Sequence, residues 1–156
     1  MNESLLKALM QLFAIAATFN KNEPETYQQN LEIITSYLKN RLSAEITERY
    51  IELYKEYVNN FISDPHYLSP TKITLRYVKI YRIAQKINQT LNTQDKFILL
   101  VRFYELLYID KEISKDEKEI IDTLAEVFGF EEKEIQCLMA FVMSKYSEIS
   151  EKKYLT

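Results

Sequence analysis

The chain has 156 residues and a single glycine, Gly129, where average usage of about 7% would supply roughly eleven. Phosphate-cradling loops, dinucleotide folds and tight β-hairpins need more glycine than this, because each places backbone at positive φ or hard against a ligand. With 47% hydrophobic residues, 28% charged residues and a net charge of −3, the composition excludes disorder and a membrane-like chain, and predicts an all-α domain.

In chain order, Leu5–Ala17 is apolar and ends in Ala14-Ile15-Ala16-Ala17, which mimics a signal cleavage site. The acidic start, Met1-Asn2-Glu3-Ser4, and the interruptions at Lys7 and Gln11 argue instead for a mature cytoplasmic N-terminus. Ser4 is the expected cap of a first helix over about 5–19, with Leu5, Leu9, Phe13 and Ala16 on one face. Residues 20–24 read as a turn, and Pro24 suits the first position of a second helix reaching about Asn40. Its apolar face is Tyr27, Leu31, Ile34 and Leu38. Ser43 caps a third helix whose stripe is Ile46, Tyr50, Leu53, Tyr57 and Phe61. Pro65 and Pro70 then forbid a continuous helix.

The fourth helix, about 71–91, carries Ile73, Tyr77, Ile80, Ala84, Ile87 and Leu91 in alternating steps of four and three. Thr93 is the expected cap of a fifth helix with Phe97, Leu100, Val101, Tyr104, Leu107 and Tyr108 inward. After the polar turn at 110–113, Ser114 and Glu117 have capping-box spacing ahead of a sixth helix with Ile120, Ile121, Leu124 and Val127. Gly129 falls where a helix stops in a left-handed residue. A seventh helix over 131–144 turns Ile135, Leu138, Met139 and Val142 inward, and 147–156 read as a polar tail or linker. No stretch approaches the 18 or so apolar residues of a membrane span.

The halves resemble each other. Leu9 and Leu99, Phe13 and Phe103, and Lys21 and Lys111 share an offset of 90, and Ile33-Ile34 precede Ile120-Ile121 by 87. The expected architecture is two pseudo-repeated three-helix lobes, about 4–62 and 93–146, joined by the segment 63–92 with its basic fourth helix.

Two clusters of charge stand out. Asp110, Glu112, Asp116 and Glu117 surround the polar turn, and two readings attach to them: hard-oxygen ligands for a divalent cation, or ordinary capping by acids in a first helical turn. The EF-hand pattern fails, because loop position six is Lys115 and position twelve is Ile121. Lys111 and Lys115 also repel a cation from within the turn. The second cluster is basic. Lys72, Arg76, Lys79, Arg82 and Lys86 fall within about 120° of one helical face, a stripe that reads as a docking face or as a solvated one. Nucleic acid is not expected, since net charge is negative and no reader motif is present.

Catalysis has little support. His66 is the lone histidine, in a proline-flanked loop, and no serine or cysteine dyad is implied by spacing. Cys137 is the lone cysteine, which excludes an internal disulfide and a cysteine-based zinc site. Its apolar neighbours predict a partly buried, inert thiol.

The stretch Leu106-Leu107-Tyr108-Ile109-Asp110-Lys111-Glu112-Ile113-Ser114-Lys115-Asp116-Glu117, continuing through Phe128-Gly129-Phe130, resembles the signature of the TerB-like family of tellurite-resistance-type helical domains. The resemblance covers about 95–143, and the N-terminal half looks like a degenerate second copy. It implies metal-responsive or membrane-stress-associated accessory domains, with Asp110, Glu112 and Glu117 as the residues carried over. Lys111 stands where that family has glycine. The opening run Leu5–Ile15 is similar to the N-terminal cytoplasmic region of long ABC-type ATPase proteins of Bacteroidetes. That resemblance implies an accessory domain whose partner is a downstream ATPase region, in a parent that binds ATP through sequence outside this chain. The expected function is therefore a non-catalytic regulatory or docking domain with no cofactor of its own, and the alternative is a divalent-cation-sensing domain using the acidic turn. Oligomeric state is not legible in the sequence.

Overall fold

A computed structural model describes residues 1–19, 24–64 and 70–155, with side chains described at 1–19, 26–64 and 76–146. The turn at 20–23 and the loop at 65–69, which holds His66, lie outside the described residues. Among the described residues the fold is all-α, with seven helices: α1 (Glu3–Ala17), α2 (Pro24–Lys39), α3 (Ala44–Ile62), α4 (Pro70–Thr90), α5 (Thr93–Leu107), α6 (Lys115–Phe128) and α7 (Glu132–Leu155). No helix is long and apolar enough to cross a membrane, among those residues.

The signal-like run at the start is the centre of the protein. On α1, Leu5, Leu6, Ala8, Leu9, Met10 and Leu12 through Ala16 are all buried, leaving a narrow polar strip of Ser4, Lys7 and Gln11 on an otherwise apolar helix. It packs against α2, α3, α4 and α5. Its counterpart α5 packs against α1, α2, α6 and α7, and buries Leu99, Leu100 and an unbroken run from Phe103 to Leu107. α4 lies across α1 and α6. One continuous core joins all seven helices. At its middle the Phe13 and Tyr37 rings meet edge to face, 5.5 Å between centroids, the geometry favoured by the aromatic quadrupole.

The N-terminal caps of α1 and α5 differ from expectation by one or two residues. Asn2, rather than Ser4, caps α1: its Oδ1 accepts from the Leu5 amide at 2.7 Å. Asn92, rather than Thr93, caps α5 and accepts from the Asp95 amide at 2.8 Å. Asparagine equals serine as a cap and exceeds threonine, so the earlier residue ends the chain's extended approach. The Ser43 cap of α3 and the Ser114–Glu117 capping box of α6 stand as read. So does Gly129, which closes α6 at φ 80 in the left-handed region.

Two helices depart further. The buried face of α3 is Thr47, Tyr50, Tyr54 and Val58, rotated from the expected stripe; Ile46 is exposed and Leu53, Tyr57 and Phe61 are half-buried. Tyr27 on α2 and Phe97 on α5 are likewise exposed. Tyrosines lie on both sides of α3, so hydrophobic spacing alone does not choose its inner face. In α7 the helix runs through the expected tail to Leu155. No glycine or proline follows Gly129 to stop it. Cys137 is exposed, because Ile135, Leu138 and Val142 take the inner face.

Candidate functional site

The acidic turn is built by the ends of two helices. After α5, the Lys111 amide donates to the Tyr108 carbonyl at 2.9 Å, and Lys111 itself adopts φ 63. Non-glycine residues rarely visit that region, because Cβ crowds the following carbonyl. Asp110 uses its Oδ1 to accept the Glu112 amide at 3.2 Å, bracing this corner. Ser114 Oγ accepts the Glu117 amide at 3.1 Å, and Glu117 Oε1 accepts the Ser114 amide at 3.2 Å.

Glu117 is buried, 5% exposed, and its Oε2 has no hydrogen-bond partner. Burial raises its pKa above the ordinary carboxylate value; the Ser114 hydrogen bonds oppose the rise, and the charges of Asp110 and Asp116 add to it. Glu112 and Asp116 are exposed. Among the described residues no group of three or more histidine, cysteine, aspartate or glutamate side chains is placed to hold a metal ion. Asp110 Oδ1 braces the turn and Glu117 Oε1 closes the cap, which leaves Glu117 Oε2 as the buried oxygen without a partner. From α4, Tyr77 reaches this point and donates its hydroxyl to the Asp116 carbonyl at 3.4 Å. Partial burial, then the charges of Asp116 and Glu119, push its pKa up to about 12.

Of the basic stripe of α4, Lys79, Arg82 and Lys86 are exposed and Arg76 is buried. The Lys72 side chain lies outside the described residues. Arg76 is buried, with its guanidinium 5.5 Å from the Phe19 ring centroid. Lys79 places its ammonium 4.6 Å over the Phe61 ring, and desolvation lowers its pKa. Arg82 and Lys86 remain exposed. A helical wheel shows that cations are together but not what stands opposite them, and here aromatic rings from the first half stand opposite two.

Sequence reasoning missed two features. The first is a groove of about 1070 Å3 between α1 and α3, lined also by Tyr27 and Leu42. Leu6 and Tyr50 form its buried floor, and Ile46 and Leu53 its wall. Along α3 the lining runs from Ile46 to Asn60, about 21 Å of helix at 1.5 Å per residue. Its charged rim is balanced: Lys7, Arg49 and Lys55 against Glu3, Glu52 and Glu56. The expected α3 stripe was the clue, since Ile46 lies exposed in this groove while Tyr50 and Leu53 line it from the edge of the core. The second is Glu105, only 3% exposed within the apolar run of α5. It accepts from Arg102 at 2.8 Å and from the Tyr146 hydroxyl at 3.2 Å, with Lys145 at 4.0 Å. The Arg102–Glu105 spacing was legible as a helical ion pair; the α7 partners were not.

Compared with family models, curated proteins and solved structures, the chain finds no match in any of the three.

Proposed function

We propose that this protein is a non-catalytic docking module that receives an amphipathic helix of a partner protein in the α1–α3 groove. The observation that carries the reading is the groove itself: an apolar floor and wall, a balanced charged rim, and four helical turns of length. Those are the dimensions of helix-in-groove recognition, where anchors at i, i+3, i+4 and i+7 enter an apolar channel. Tyrosine suits its edges, because a ring can bury while the hydroxyl stays wet.

The proposal includes the duplicated architecture and the accessory-domain role. In support of duplication, α1 and α5 are each 15 residues long, and their caps, Asn2 and Asn92, use the same side-chain bond. The two three-helix units would then be α1–α3 and α5–α7 with α4 between them. The accessory-domain role rests on the TerB-like and ABC-type resemblances of the sequence, and it makes the partner an ATPase region. Crosslinking this chain to that region tests the role: a contact that Ile46→Asp and Leu53→Asp abolish supports it, and absence of contact rejects it.

A cation-sensing turn is the second reading, and one atom favours it: the buried, unpartnered Oε2 of Glu117 beside Asp110 and Asp116. Calorimetry with Ca²⁺, Mg²⁺ and Zn²⁺ decides it, and silence at millimolar metal removes it.

A further inference from the structure

A second concavity lies on the other flank of α1, where α3 and α4 approach it. It encloses about 300 Å3, the lower end of the range for small-molecule sites. Ser4, Lys7 and Gln11 of α1, Tyr57 of α3, and Arg82 and Lys86 of α4 line it. No carboxylate is among its lining residues, in a chain whose net charge is −3. The contrast with the α1–α3 groove, with three charges of each sign, is a contrast of chemistry.

The polar lining is rich in donors. Arg82 presents a planar fork, Lys86 an ammonium, Ser4 and Tyr57 hydroxyls, and Gln11 an amide group. Lys7 is already engaged, 3.0 Å from Glu3. Arg82 and Lys86 have no carboxylate partner among the described residues. They sit one turn apart on α4 and line the same cleft. A carboxylate offers two oxygens; a phosphate monoester offers three around a tetrahedral centre with nearly two charges. Several donors converging from three helices match the second better.

We propose that the α1–α3–α4 cleft binds a phosphate monoester group, held by Arg82 and Lys86 and oriented by Ser4, Gln11 and Tyr57. This inference is independent of the docking groove, since apart from Lys7 the two share no lining residue. The group can come from a soluble phosphomonoester or from a lipid headgroup of the same chemistry.

The test uses the full chain, with glycerol 3-phosphate as the soluble probe and phosphatidylcholine vesicles doped with phosphatidic acid as the lipid probe. Backbone amide shifts report the first, and co-sedimentation the second, both at fixed ionic strength. Binding by either probe that weakens about tenfold or more in Arg82→Gln/Lys86→Gln supports the proposal, and the responding probe identifies the source. Both substituted side chains are exposed, so an unchanged unfolding midpoint establishes that the variant is folded; Arg82→Lys, if the double variant unfolds, carries the same comparison. Silence with both probes at millimolar phosphate overturns the proposal. So does binding that the variant leaves unchanged, shifts that map away from these helices, or a polyglutamate peptide that binds the cleft more tightly than either probe.

Discussion

The Tyr146 hydroxyl donates to Oε2 of Glu105 at 3.2 Å, joining α7 to α5 across 41 residues of sequence. Arg102 holds the other carboxylate oxygen at 2.8 Å, so the buried charge is neutralised from one side and hydrogen-bonded from the other. A buried carboxylate is tolerable on those terms and costly without them. Tyr146→Phe keeps the ring, including its edge contact with Tyr108, and removes only the bond. It should cost about 1–2 kcal/mol in urea unfolding, whereas Tyr81→Phe, at a 48% exposed position, should cost nothing measurable.

Lys111 and Gly129 pose the same backbone question with opposite residues. Both occupy positive φ, 63 and 80. Lys111→Gly relieves the crowding of Cβ but loosens the unfolded chain, and the balance should be a gain of roughly 0.5–1 kcal/mol. Gly129→Ala should lose about 1 kcal/mol through backbone strain alone, because an added Cβ there meets nothing within 4 Å. Thermal midpoints moving in opposite directions would establish both.

The caps give a sharper contrast. Asn2→Ala and Asn92→Ala each delete a bond to an otherwise unpaired helix-start amide, and each should cost about 1 kcal/mol. Ser4→Ala and Thr93→Ala, inside the first turns of α1 and α5, should fall within about 0.5 kcal/mol of the parent. Equilibrium unfolding of the four variants reads this directly.

Glu117 carries a pH signature. Its folded pKa is raised, so its proton is held more tightly in the fold than in the unfolded chain. The associated stability is fully present below the unfolded carboxylate value and is lost as pH rises through the folded one. Glu117→Gln keeps an acceptor for the Ser114 amide and cannot ionise. Between about pH 4 and pH 7 the variant should gain relative to the parent; a difference independent of pH would contradict the assignment.

How much of this was legible follows from particular residues. The α4 stripe of Ile80, Ala84, Ile87 and Leu91 is buried as read, because its aliphatic residues keep strict helical spacing on a helix packed against both α1 and α6. The Ser114–Glu117 box and the Gly129 stop were legible for a similar reason: each pattern satisfies a specific backbone requirement. The α3 face was not, since Tyr50, Tyr54 and Tyr57 serve a core or a rim equally well. Arg76 and Glu105 were hidden more deeply. Their burial depends on Phe19 and Tyr146, residues distant in sequence that only the packed helices bring near. The α1–α3 groove was half legible: of the α3 stripe Tyr50 is buried as read, whereas Ile46 is exposed and Leu53 half-buried in the groove.

The docking groove is the central claim, and site-specific photocrosslinking in cells tests it most directly. A crosslinker at Ile46, in the groove wall, and one at Gln136, exposed on α7, are compared by mass spectrometry of the adducts. The account predicts one partner protein captured from Ile46, through an amphipathic helix, with none from Gln136. No adduct from Ile46, or equal capture from both positions, would contradict it.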